Sequence, residues 1–284
     1  MQFIIYGIVT GSILLLATVG FAMVKRVENF LNIGHAELLT VGAYIAYYFN
    51  VQLGINIFMA GLIAVVLTAL VSLLVARLVY EPIRKYGHVI LLITSVGVAY
   101  ILHGLNEAIS GVEIRSYAIP VTKAIQIAGK PFMTIEEIVV ILIAGFSAVG
   151  LHLFLTGTKT GKAIRAMSSN FDLARVRGIE TKRMAAYVWL VSGGLAGLAG
   201  ILLGATGRIN TDLGWSQILI ILSAAILGGL SSIYGVMIAA LLIGIAMDTS
   251  VIFFPPAYRQ AVAFVLIIIV LFLRPKGIMG GGAK

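Results

Sequence analysis

Long apolar runs divided by short charged stretches set the pattern of the chain. Crossing roughly 30 Å of bilayer hydrocarbon takes about 20 residues at about 1.5 Å of rise each. Apolar runs that could cross or enter it lie at 3–24, 36–50, 54–79, 88–108, 135–156, 184–206, 217–232, 233–250 and 259–273. The pattern predicts an all-α membrane protein, a polytopic helical bundle of about eight to nine spans. The second, seventh and eighth are short enough to be broken or tilted. No run alternates with the period of two that a membrane barrel needs, so strands are not expected. Breaks are expected at Gly228, Gly229, Ser231, Ser232 and Gly235, between two half-spans, and at Pro255–Pro256 before the last span. Gly193, Gly197, Gly200 and Gly204 recur at small-residue spacing inside one span, which predicts close helix packing.

Composition supports the membrane reading. Apolar residues make up 60% of the 284 positions and charged residues 11%, against roughly 45–50% and 25% in soluble domains. Too few polar side chains remain to cover a water-exposed surface, a demand that lipid removes. Cysteine is absent, which excludes disulfides and thiolate metal sites. The first charges, Lys25 and Arg26, follow the first apolar run instead of preceding it. That order argues against a cleavable signal and for an N-terminus outside.

Charge then orients the bundle. The segment 157–183 carries Lys159, Lys162, Arg165, Arg175, Arg177, Lys182 and Arg183 against Asp172 and Glu180. The loop near 77–88 carries Arg77, Arg84 and Lys85, and the tail Arg274, Lys276 and Lys284. With these and Lys25–Arg26 in the cytoplasm, all but five of the 20 basic residues lie inside, and alternation of the spans agrees. The other five are Arg115, Lys123, Lys130, Arg208 and Arg259. The C-terminus is then cytoplasmic. The formal charge of +9 needs no nucleic acid to explain it.

Two stretches carry candidate chemistry. The first runs from Gly161 through Arg165, Asp172 and Ala174 to Gly178, cationic and helix-compatible throughout. It reads either as a solvated anchoring loop or as a docking helix for a soluble partner, ended by its glycine. Its acid–x–Ala–x₃–Gly spacing resembles the docking loop of ABC importer permeases. The neighbouring Gly157–Ala163 is not a phosphate loop: it has three residues between its glycines and Ala163 after the lysine. The second stretch, Asn29 to Glu37, places Asn32, His35 and Glu37 at a membrane entry. It reads as an interfacial helix start or as polar lining of a solute path. His35 and Glu37 supply only two ligands, too few for a usual metal site.

Both stretches resemble the inner-membrane permeases of branched-chain amino-acid ABC importers, a family that also includes urea and short-amide systems. The likeness covers nearly the whole chain. It runs through Asn29 to Glu37 with Gly42–Ala43–Tyr44, the turn Tyr80–Glu81–Pro82–Ile83–Arg84, and Gly161 to Ala166 with Ala174 and Gly178–Ile179. It continues in Ala225–Ile226–Leu227–Gly228–Gly229 and Pro275–Lys276–Gly277–Ile278. Ala36, Tyr234 and Asp248 stand where the family usually has glycine, proline and glutamate, and residues 214–220 hold no lysine. The resemblance therefore leaves the solute unassigned.

The resemblance implies one permease domain over 1–284 with an ATPase-docking loop at 157–183, in a multi-pass protein of the cell membrane. It implies a second permease subunit, two ATP-binding subunits and an extracytoplasmic solute-binding protein. No cofactor is expected in this chain, with ATP and magnesium on the partners. Gly161, Arg165, Asp172, Ala174 and Gly178 would couple to the ATPase, and Asn32, His35 and Glu37 would line the solute path. A rival reading is an ion-coupled secondary transporter with Glu37, Glu107 or Asp248 as its site, though each lies near a span end in this map. A membrane enzyme is disfavoured, since neither Gly-x-Ser-x-Gly nor His-Glu-x-x-His occurs.

Overall fold

The computed structural model describes residues 2–120, 124–127, 130–230, 232–274 and 277–279. Among them are eleven α-helices of six residues or more: α1 Gln2–Glu28, α2 Glu37–Tyr47, α3 Ile57–Val75, α4 His88–Ser110, α5 Ile135–Gly157, α6 Lys159–Ser169, α7 Phe171–Val176, α8 Thr181–Thr206, α9 Ile218–Gly228, α10 Ile233–Thr249 and α11 Arg259–Leu273. Among the described residues seven helical runs are long and apolar enough to cross a membrane: α1, α3 with its extension to Tyr86, α4, α5, α8, α10 to Ile252, and Pro256–Leu273.

Helix α1 forms the axis of the bundle and is buried along nearly its whole length between α8 and α10. Lipid is as apolar as leucine, so close backbone packing must bring these helices together. A Cβ on Gly11 would come within 2.9 Å of the Leu241 Cα on α10. The glycine row of α8 does the same work, as its spacing predicts. A Cβ on Gly197 would lie 2.8 Å from Thr68 Cβ on α3, and one on Gly200 would strike the Leu39 carbonyl of α2. Helices α4, α5 and α11 flank this core and turn large apolar side chains such as Ile93, Phe146 and Phe272 outward.

Three elements differ from the run-length map. First, the basic stretch 77–86 is helical, not a loop. A π-turn at Ala76–Tyr80 leads into Glu81–Ile83 and Arg84–Tyr86, and Gly87 ends the run at φ +98°. Pro82 falls in the first turn of Glu81–Ile83, a position a helix tolerates. Second, 36–50 is a short buried helix that starts deep in the bundle. Asn29 reverses the chain at φ +58°, and a turn at Ile33–His35 folds back beside the middle of α1. Third, the expected break at Gly228–Gly235 separates unequal pieces. Helix α9 is short and α10 is long enough to span. Gly229 has φ +87°, and Ser232 Oγ accepts from Gly235 N at 3.1 Å. Ile278 N donates to the Leu227 carbonyl at 2.8 Å, which closes an open helix end. Ser231, Pro275 and Lys276 lie outside the described residues.

One small antiparallel hairpin, Ile125–Ile127 with Lys130–Met133, departs from the all-helical expectation. It belongs to the link between α4 and α5, at the end opposite the basic segments. That link is tied down: Arg115 and Ile209 exchange backbone bonds at 2.8 and 2.9 Å, and Tyr117 Oη donates to the Ala43 carbonyl at 3.1 Å.

Candidate functional site

The basic end of the bundle carries a separate helical pair, α6 and α7. Thr158 starts α6 by accepting from Gly161 N at 2.9 Å. Gly161 is buried where α5 turns into α6, and a Cβ there would strike the Phe154 carbonyl. Ile164 and Met167 pack inward, while Arg165 is exposed. The continuous helix expected over 161–178 is in fact two helices. Asn170 adopts extended angles and accepts from Leu173 N at 2.9 Å, so it caps α7 and interrupts the helix. Asp172 is exposed in the first turn of α7, Ala174 is buried, and Leu173 and Val176 stand 55% and 83% exposed.

Gly178 ends α7 at φ +82°. Ile179 N donates to the Ala174 carbonyl and Gly178 N to the Arg175 carbonyl, both at 3.1 Å. This pair of bonds is the Schellman arrangement, which requires a left-handed residue at the glycine position.

The pair is anchored to the bundle through Arg84. Its guanidinium lies 4.9 Å from the centre of the Phe171 ring and 3.3 Å from the carboxylate of buried Glu28 at the end of α1. One turn earlier, Tyr80 stacks on Trp189 of α8 at 5.2 Å and donates to Asn32 Oδ1 at 2.8 Å. The Tyr80-to-Arg84 motif thus touches α7, α1, α8 and the reversed segment.

Asn32, His35 and Glu37 are all buried, at 2%, 0% and 0% exposure. Asn32 is held by Tyr80. His35 Nε2 lies 2.9 Å from the Ala17 carbonyl and its Nδ1 lies 3.4 Å from Ser192 Oγ. Glu37 differs, since neither of its carboxylate oxygens has a hydrogen-bond partner. Its nearest titratable neighbours are His103 on α4, whose Nδ1 lies 3.6 Å away, and, beyond that ring, Asp212 at 3.8 Å from His103 Nε2. His103 is partly open and Asp212 well exposed, so the buried acid communicates with an open surface through one ring. His103 was missed in the sequence reading. The available signal was a histidine inside the apolar run 88–108.

Of the acids placed near span ends, Glu107 is exposed late in α4, whereas Glu37 lies inside the bundle. Asp248, near the end of α10, is buried and paired with Arg259 and Thr10. These three residues line a cavity of about 830 Å³ at the end opposite the basic segments.

The model of the family described as "Branched-chain amino acid transport system / permease component" matches residues 3–271. The chain is 28% identical over 289 residues to the high-affinity branched-chain amino acid transport system permease protein LivH of Escherichia coli, covering 96% of this chain and 93% of LivH. It is also 28% identical over 295 residues to the corresponding permease BraD of Pseudomonas aeruginosa, covering 99% and 95%. In fold it is similar to PsaBC from Streptococcus pneumoniae, solved in complex with Fab, at a TM-score of 0.51 and 14% identity over 97% of this chain and 91% of that one.

Proposed function

This chain belongs to the family of branched-chain amino acid transport system permease components, and from that premise we propose that it is the membrane-spanning permease of an ATP-driven importer for branched-chain amino acids or a similar small polar solute. The observation that carries the reading is the near-complete alignment with LivH and BraD, which takes in both the bundle and the exposed pair α6–α7.

The working complex contains a second permease, two ATP-binding subunits and an extracytoplasmic solute-binding protein. ATP and magnesium reside on the ATP-binding subunits, where hydrolysis occurs. The basic end faces the cytoplasm, following the excess of Lys and Arg there, so the N-terminus is outside and the C-terminus inside. Helices α6 and α7 dock on the ATPase. Leu173 and Val176 supply an apolar contact, Arg165 and Asp172 flank it with charge, and Gly161, Ala174 and Gly178 fix the shape of the pair. Closure of the ATPases displaces the pair, and Phe171 and Arg84 carry the displacement to α1 and to the segment Asn29–Glu37. Solute passes beside that segment at the interface of the two permeases. Glu37 reaches the path through His103, with Asn32 and His35 holding the segment in place. ATP binding can drive the cycle only through a difference in ATPase affinity for the two states.

The test is uptake of radiolabelled leucine into proteoliposomes containing the copurified complex. Uptake should require enclosed ATP and persist when ion gradients are collapsed. Gradient-driven uptake by this chain alone, without ATP, would establish the secondary-transporter reading instead.

A further inference from the structure

The cavity near Asp248 lies within this single chain, away from the segment Asn29–Glu37. The first half of α1, the α8–α9 connection, the end of α10 and the start of α11 enclose it. Its volume of about 830 Å³ falls in the range of roughly 300–1,000 Å³ typical of small-molecule sites. Two chemistries share the lining. Val9, Ile13 and Ile220 form an aliphatic wall, and Asp248, Arg259 and Arg208 supply charge.

The charged groups are not equivalent. The Asp248 side chain is 6% exposed, pairs with Arg259 and accepts from Thr10 Oγ1 at 2.6 Å. Arg259 still has a buried Nε–H with no hydrogen-bond partner. Arg208 is exposed and stands at the rim. With Glu137, which also lines the cavity, two carboxylates balance two guanidiniums. A ligand of net charge would leave one charge uncompensated in the cavity, whereas a zwitterion would not. Thr10, Ile13, Leu203 and Gln217 of its lining also border a separate small void of about 20 Å³, which Leu14, Ala17 and Leu39 complete. Ala17 is the residue whose carbonyl His35 holds.

We propose that this cavity is a receiving site for a zwitterionic amino acid with a branched aliphatic side chain, its carboxylate toward Arg208 and Arg259, its ammonium toward Asp248 and its side chain on the Val9–Ile13–Ile220 wall. The proposal rests on the function given above and adds a holding position inside one permease, before the interface of two. It gives Arg208, Arg259 and Asp248 a common role.

The test is equilibrium binding of leucine and of leucinamide, which lacks the carboxylate, to the complete permease–ATPase complex in nanodiscs without binding protein. In the wild type leucinamide should bind about tenfold more weakly than leucine, the loss of one charge-assisted hydrogen bond. In Arg208→Gln the difference should shrink to roughly threefold, because Arg259 still faces the carboxylate, and Arg208→Lys should restore most of it. An unchanged ratio in Arg208→Gln, or no leucine binding to the wild type at millimolar concentration, overturns the site. ATP-dependent leucine uptake measured beside it separates the two claims. Uptake without cavity binding sinks the site alone, and loss of leucine uptake with the full complex sinks the underlying function.

Discussion

Replacing Gly178 by valine isolates the shape of α7 from its charge. Gly178 has φ +82°, and a Cβ built on it meets no atom within 4 Å in this chain. The cost of a side chain is therefore in the backbone, not in a clash: roughly 1–2 kcal/mol for an ordinary L-residue in the left-handed region, and more for a β-branched one. Helix α7 has only six residues, far below the length at which a helix holds itself together. A penalty of about 1.4 kcal/mol changes its local equilibrium roughly tenfold toward a frayed end. Solute-stimulated ATPase activity of the reconstituted complex is the readout, with membrane insertion and binding-protein docking as controls. Gly178→Val should lose most stimulation with both controls intact. Gly178→Asn should stay near wild type, because asparagine enters the left-handed region readily. Arg177→Ala should be mild, since an exposed pair contributes about 0–1 kcal/mol. Normal stimulation in Gly178→Val would refute the coupling role. Equal damage from Asn and Val would show that free space, not conformation, is what the position needs.

Three further outcomes are expected. In this cysteine-free chain, Ser116→Cys should react with an impermeant thiol reagent from outside and Ser169→Cys only after permeabilisation; the reverse pattern would invert the topology. Arg84→Ala leaves buried Glu28 without its partner and should destabilise more than an exposed pair, about 1–2 kcal/mol after allowing for the half-open arginine; Glu28→Gln in the same chain should recover most of the lost melting temperature, and no recovery would assign the effect to Phe171. Gly200→Val pushes a side chain into the Leu39 carbonyl and should cost about 1–3 kcal/mol as overpacking, read as a lower melting temperature in detergent; an unchanged value would mean that α2 and α8 do not need their close approach.

The sequence by itself determined the features that depend on local chemistry and on bilayer thickness. Run length located the long helices, because about 30 Å of hydrocarbon admits few alternatives. Glycine at 178 marked a helix end, because only one residue type takes that backbone cheaply. The spacing of Gly193, Gly197 and Gly200 announced a close-packed face. Even the break at Asn170 was written locally, in an asparagine placed to cap the next helix, although the helix-compatible residues on either side outweighed it.

Tertiary structure alone decided depth and partnership. The stretch Asn29–Glu37 reads from sequence either as an interfacial helix start or as polar lining of a path, and only the left-handed turn at Asn29 and the contact of His35 with Ala17 show that it lies within the bundle. Glu37 is near a span end in sequence and wholly buried in space, facing His103 on a helix that begins some fifty residues later. Arg84 joins Glu28 to Phe171 across 56 and 87 positions of sequence. No periodicity encodes such pairings. They arise because a polar group carried into a low-dielectric interior is costly without a partner there, and which partner is near depends on how all the helices pack.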